Sequence, residues 1–109
     1  MTQLEVIRMI GDVLTEIDVA IGSLRPGDPD LTRLQDLRRL LDARQLDISR
    51  QVLEDNTERF QRAARDLSGI NNEIKDTIAR IDDMVAVIAN VTRFLNAVSS
   101  FVTTVGVFI

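Results

Sequence analysis

Carboxylates are the side chains in this sequence that come closest to forming a chemical motif. Asp28, Asp30 and Thr32 have the spacing that opens a calcium-binding loop, but Arg33 stands where that loop requires glycine and Arg39 where it requires glutamate. The chain also has no cysteine and no histidine, so it lacks a nucleophilic thiol, the commonest general base and the commonest transition-metal ligand. We therefore predict no catalytic residue, no metal site, no cofactor and no small-molecule substrate, and we do not expect an enzyme.

The charge pattern argues against a nucleic-acid partner. The net charge is −4, and between residues 28 and 66 nine acidic residues are interleaved with eight arginines. Side chains of opposite charge four residues apart meet on a helix surface, so this stretch predicts a solvated, self-neutralising face. The first residues lack the positive flank and short apolar core of a secretory signal. We expect a cytoplasmic protein without a signal peptide, and we leave membrane association open.

The amino-terminal segment has the pattern of an amphipathic helix. Thr2 and Glu5 are spaced as a capping box, and apolar residues then recur at intervals of three and four. We predict helix 1 over about residues 3–24. The segment 25–28 contains proline and glycine and must interrupt the helix, while Pro29 suits the first turn of the next one. Because the loop is short, we expect an antiparallel helical hairpin.

One heptad phase is apolar from the middle of the chain to its last residue. A seven-residue apolar repeat is typical of a helix that packs one seam against other helices, so we predict helix 2 over about residues 29–67. Gly69 and the two asparagines after it are typical of a helix stop, yet the phase crosses them unchanged. The pattern continues either in the same helix or in a helix 3 over about residues 70–104. The ten positions are Leu46, Leu53, Phe60, Leu67, Ile74, Ile81, Ile88, Leu95, Val102 and Ile109.

These patterns predict an all-α fold in one helical domain spanning residues 1–109. The first alternative is a helical hairpin with a long, heptad-patterned, coiled-coil-like C-terminal arm. The second is a three-helix bundle, which requires the chain to break at Gly69. In the first alternative the C-terminal half has no cover within its own chain and must associate with something else.

The function that we expect is that of a non-enzymatic interaction and assembly protein. It would form a homo-oligomer or bind a helical protein partner through its C-terminal apolar heptad face. A helical adaptor, chaperone or inhibitor of a larger partner would present the same face. The predicted interaction seam consists of Leu67, Ile74, Ile81, Ile88, Leu95 and Val102.

The C-terminal tail suggests a membrane-active alternative. No charge follows Arg93, so residues 94–109 would form about 24 Å of uncharged helix. This segment could be buried in a shared core, dock onto a partner, or insert into lipid as part of a membrane-anchored or pore-forming protein. The predicted membrane-binding or docking residues of the tail are Phe94, Leu95, Val98, Phe101, Val102, Val105, Phe108 and Ile109.

Overall fold

The computed structural model describes residues 1–78 and 83–105 and is built from four helices. They are α1 (Gln3–Gly22), α2 (Pro29–Ser49), α3 (Glu58–Ile78) and α4 (Met84–Val105). The described residues contain no β-strand, and the predicted all-α class is confirmed.

The first hairpin forms where local sequence signals place it. The Thr2 hydroxyl accepts a hydrogen bond from the Glu5 amide at 3.2 Å, and the Glu5 carboxylate accepts one from the Thr2 amide at 3.1 Å. This capping box satisfies amide groups that the first turn of α1 would otherwise leave unpaired. After the break over 25–28, Asp28 caps α2 by accepting a hydrogen bond from the Asp30 amide at 2.9 Å.

The predicted long second helix is wrong. Instead of running over residues 29–67, α2 ends at Ser49, and residues 50–57 connect it to α3. Gly69 lies inside α3 on its exposed side, so it is neither a turn nor a helix stop. The chain therefore forms four shorter helices, and both predicted arrangements, the long arm and the three-helix bundle, are replaced by a four-helix bundle.

A side chain from α1 explains why the chain leaves the helix after Ser49. The Gln3 Nε2 group donates hydrogen bonds to the carbonyl oxygens of Ile48 and Gln51, at 3.0 and 2.6 Å. Its Oε1 atom accepts one from the Leu53 amide at 3.1 Å. The Leu53 side chain is buried in the core. Because Gln3 lies about 50 residues away in sequence, no local pattern predicts this ending.

The four helices occupy the corners of a bundle. The main contacts of α1 are with α2 and α3, and those of α4 are also with α2 and α3, so α1 and α4 lie at opposite corners. The contacts Asp18–Arg38 and Ile7–Gln45 show that α1 is antiparallel to α2. The contacts Glu73–Arg93 and Phe60–Phe101 show that α3 is antiparallel to α4. The connection over 50–57 therefore crosses the end of the bundle from one corner to the opposite one.

The core contains apolar side chains from every helix, and it includes most of the predicted interaction seam. Leu67, Ile74, Ile88 and Leu95 are buried within the chain, and Val102 is half-buried. Ile81 lies outside the described residues. The expectation that the C-terminal half has no cover within its own chain is therefore wrong, because α3 and α4 pack on each other and on the first hairpin.

Candidate interaction surface

The inner face of α4 supplies one wall of the core. Four of the predicted tail residues, Phe94, Leu95, Val98 and Phe101, are buried, and Val102 and Val105 are half-buried. Phe108 and Ile109 lie outside the described residues. The structure thus uses the apolar side of the tail within the chain, and that side is not free to dock elsewhere while the bundle is closed.

The opposite side of α4 is exposed and carries a single charged residue, Arg93. We define the outer stripe as five exposed residues that follow one another along this side: Val85, Ala89, Asn96, Ser100 and Thr103. Val85 is 80% exposed. The other four side chains are small, so another helix could approach the α4 backbone closely along this line.

The one charged residue of α4 is held by the neighbouring helix. Arg93 lies beside the outer stripe, and its Nη1 group donates hydrogen bonds to Glu73 Oε2 at 2.5 Å and to Asn90 Oδ1 at 3.3 Å. Both members of the ion pair are about half exposed. The guanidinium is thereby drawn toward α3 and away from the line of the stripe.

The outer surfaces of α2 and α3 are different in character. Both carry exposed acidic and basic residues in every turn or two, including Arg33, Asp36, Arg39 and Asp42 on α2. On α3 the exposed charged residues are Glu58, Arg59, Arg62, Arg65, Asp66, Glu73, Lys75 and Asp76. Interfaces between proteins are depleted of charge at their centres, so the outer stripe of α4 is the surface of the bundle that best fits such a centre.

Charged residues border the outer stripe on both sides. A groove of about 570 Å³ between α3 and α4 is lined by Arg59, Arg62 and Asp66 opposite Ser100 and Thr104. A second groove, of about 410 Å³, lies between α2 and α4 and contains Arg44, Asp47 and Gln51 opposite Ser99, Val102 and Thr103. An uncharged centre with polar margins is the usual anatomy of a protein–protein interface.

Helices α1 and α3 each carry a buried polar atom without a partner in the described part of the chain. The Glu16 Oε2 and Asn71 Oδ1 atoms are buried and accept no hydrogen bond from the described residues. Burial raises the pKa of Glu16, with Lys75 opposing this shift and Asp12 adding to it. Such groups weaken the contact that buries them, because they lose their water without gaining a donor.

No family model, curated protein or solved structure matches this chain. The described residues contain no cluster of three or more acidic side chains that could hold a metal ion. Among them, α4 is long and apolar enough to cross a membrane by length and composition, a property that it shares with buried helices of soluble proteins.

The sequence prediction and the outer stripe concern the same helix but different faces of it. The absence of charge after Arg93 and the small residues near the C-terminus are visible in the sequence. Two of these small residues, Ser100 and Thr103, belong to the outer stripe. The heptad pattern drew attention to the apolar side instead. What an isolated pattern cannot show is that α2 and α3 of the same chain cover that side.

Proposed function

We propose that this protein is a non-enzymatic helical interaction module that self-associates through the outer stripe of α4. The observation that carries the proposal is the outer side of the 22-residue helix α4, on which Arg93, paired with Glu73, is the single charged residue. The outer sides of α2 and α3 are highly charged. A solvent-exposed helix face normally carries charged residues, whereas the centre of an interface does not.

The side chains of the stripe favour a protein partner over lipid. Asn96, Ser100 and Thr103 can form hydrogen bonds across a helix pair, and Ala89 leaves room for close packing. Positions that face acyl chains are better served by bulky apolar residues. A second α4, approaching along the same line, would bring matching small surfaces together around a two-fold axis.

The proposal retains the helix and the class of function predicted from the sequence but changes the surface. The predicted seam would operate between chains only if the bundle opened, since Leu67, Ile74, Ile88 and Leu95 are covered in the closed form. The outer stripe needs no such rearrangement.

The test compares the same substitution at two exposed helical alanines, one inside the outer stripe and one outside it. Ala89→Glu introduces a charge into the outer stripe, and Ala43→Glu introduces the same charge on the exposed side of α2. Sedimentation or light scattering over a concentration series should show association of the wild-type chain and of Ala43→Glu. Ala89→Glu should weaken association at least tenfold, which corresponds to about 1.4 kcal/mol. A wild-type chain that stays monomeric throughout, or an Ala89→Glu variant that associates normally, would contradict the proposal.

Membrane association is the second candidate function, and the length and composition of α4 favour it. Twenty-two helical residues span about 33 Å, close to the thickness of the hydrocarbon core of a bilayer. Removing the tail is a poor test because it also removes Phe94, Leu95, Val98 and Phe101 from the core. Liposome flotation of the same two glutamate variants avoids this problem. Insertion predicts that the wild type and Ala43→Glu float while Ala89→Glu does not; a wild-type chain that remains in the aqueous fraction excludes this candidate.

A further inference from the structure

The bundle consists of two helical hairpins, each fastened by its own polar contacts. In the first, Arg38 bonds Asp18 at 2.6 Å and the Gln45 amide donates to the Ile7 carbonyl at 3.0 Å. In the second, Arg93 bonds Glu73 at 2.5 Å. These contacts hold α1 to α2 and α3 to α4 respectively, so each hairpin is a unit.

The two hairpins are joined to each other almost entirely by apolar packing. Among the described residues, every salt bridge lies within a single helix or within one hairpin. The direct hydrogen bonds between the described part of the second hairpin and residues 1–55 all involve Gln61. Its Nε2 donates to the carbonyl oxygens of Met1 at 2.6 Å and Asp55 at 2.5 Å, and its Oε1 accepts from the Met1 amino group at 2.7 Å. Apolar packing is non-directional, so an equivalent surface on another molecule can replace it.

The contact between α1 and α3 is the least extensive of the four main helix contacts. Its two helices also carry buried oxygen atoms without partners, on Glu16 of α1 and Asn71 of α3. The other contact between the hairpins, α2 against α4, is bordered by open grooves. Separation of the hairpins therefore disrupts the limited contact of α1 with α3 and the more extensive packing of α2 on α4, while each hairpin keeps its own internal contacts.

The connection between the hairpins has a clear hinge position. Gln3 fixes the connection to the first hairpin as far as Asp55, because its side chain accepts from the Leu53 amide and its backbone amide donates to Asp55 Oδ2 at 3.0 Å. The second hairpin begins at Glu58. Asn56 and Thr57 lie between these two points, and Asn56 is exposed. Extension of the chain here breaks the hydrogen bonds that cross this point, from Gln61 Nε2 to the Asp55 carbonyl and from the Thr57 hydroxyl to the Glu54 carbonyl.

We propose that two copies of this chain exchange their α3–α4 hairpins, so that each second hairpin packs against the first hairpin of the other copy. Every contact between the two hairpins of the closed bundle is then re-formed between chains, and the contacts within each hairpin stay within one chain. Ile88 and Val102, which line the grooves beside α2, would pack against α2 of the second copy. This inference goes beyond the proposed function, because it uses the inner faces of the helices and does not require the outer stripe.

Cysteine cross-linking distinguishes exchange from association through the outer stripe. The chain has no native cysteine, so every thiol is introduced. Asp47→Cys with Ser99→Cys places one thiol on each hairpin across the α2–α4 groove, and Arg33→Cys with Thr92→Cys is a second such pair; neither Ser99 nor Thr92 belongs to the outer stripe. Asp18→Cys with Arg38→Cys lies within the first hairpin and is the matched control.

The protein is refolded at high concentration, the dimer fraction is isolated, and a short bismaleimide is added before denaturing electrophoresis. Exchange predicts that both inter-hairpin pairs give a covalent dimer with doubled apparent mass, while the control pair gives a cross-linked monomer. Inserting a Gly-Ser segment after Asn56 should lower the dimer fraction, since a longer hinge lets the hairpins close within one chain.

Each of the other outcomes contradicts hairpin exchange. If a dimer forms but both inter-hairpin pairs yield cross-linked monomers, exchange is wrong and association through the outer stripe survives. If a dimer forms and Ala89→Glu removes it, the outer stripe is again responsible. If no dimer forms at any concentration, hairpin exchange and self-association through the stripe both fail.

Discussion

The rings of Phe60 and Phe101 meet edge to face, with centroids 5.3 Å apart and planes inclined at 72°. Phe60 lies in the first turn of α3 and Phe101 near the end of α4, and both side chains are almost completely buried. Edge-to-face aromatic pairs contribute about 0.5–1.5 kcal/mol beyond the burial of their surface. This pair joins the two ends of the second hairpin.

Replacing Phe101 with alanine should strongly destabilise the bundle. The substitution removes the aromatic contact with Phe60 and leaves a cavity, so we expect the free energy of unfolding to fall by about 3–5 kcal/mol. Urea unfolding followed by circular dichroism measures this change. Thr103→Ala, at an exposed position of the same helix, is the control and should change stability little. Equal losses for both variants would show that Phe101 is not a core residue.

Replacing Gln3 with alanine should release the connection between the hairpins. The variant loses the side-chain hydrogen bonds to Ile48, Gln51 and Leu53, for an expected loss of about 1–3 kcal/mol in stability. Hydrogen exchange should also show faster exchange of the Leu53 amide. Gln35→Ala changes an exposed glutamine of α2 and serves as the control. An unchanged exchange rate of the Leu53 amide would show that the Gln3 hydrogen bonds do not hold the connection in place.

Replacing Asn71 with leucine should stabilise the protein. Asn71 is 7% exposed, and its Oδ1 atom has no partner among the described residues. Leucine has a similar shape and no polar group to desolvate, so we expect a gain of about 1 kcal/mol. Asn72→Leu, at the exposed neighbouring position, should have little effect. A loss of stability in Asn71→Leu would indicate that the amide has a partner in solution.

Two glutamates of α1 should give stability changes of opposite sign with pH. Burial raises the pKa of Glu16, so its protonated form favours folding at low pH, and that contribution is lost as pH rises through the folded-state pKa. Glu16→Gln should therefore be more stable than the wild type near neutral pH and equal to it in acid. Hydrogen bonding by Thr2 lowers the pKa of Glu5, so the Glu5 carboxylate stabilises the fold above its ordinary pKa.

Glu5→Gln should accordingly reduce stability near neutral pH, and the difference should shrink as pH falls through the folded-state pKa of Glu5. Urea unfolding at about pH 3 and pH 7 covers both transitions. If the two variants differ from the wild type by the same amount at both pH values, neither carboxylate is coupled to folding.

Signals within a few residues of each other predicted the first half of the fold well. The capping box of Thr2 and Glu5, the break over 25–28 and the start of α2 at Pro29 all lie where the sequence indicated. Each of these features is a local hydrogen bond or a steric restriction, so the neighbouring residues suffice to specify it.

The second half could not be predicted in the same way because its breaks depend on distant contacts. The heptad phase runs through the connection at 50–57, yet Leu46 is 48% exposed and Leu53 lies outside any helix. The phase is therefore shared by separate helices and does not trace one seam. The predicted interaction seam was based on this heptad phase. It assigned the apolar side of α4 to a partner chain, whereas α2 and α3 cover that side in the closed bundle.

The corner position of α4 has a consequence for the way the protein is made. Because α4 is the last of the described helices to be synthesised, α1, α2 and α3 leave the ribosome before α4 can cover their shared core. Until then an apolar trench between α2 and α3 is open to water and to other nascent chains. Translation speed and local crowding on the polysome would therefore influence whether each α3–α4 hairpin closes on its own chain or on its neighbour's.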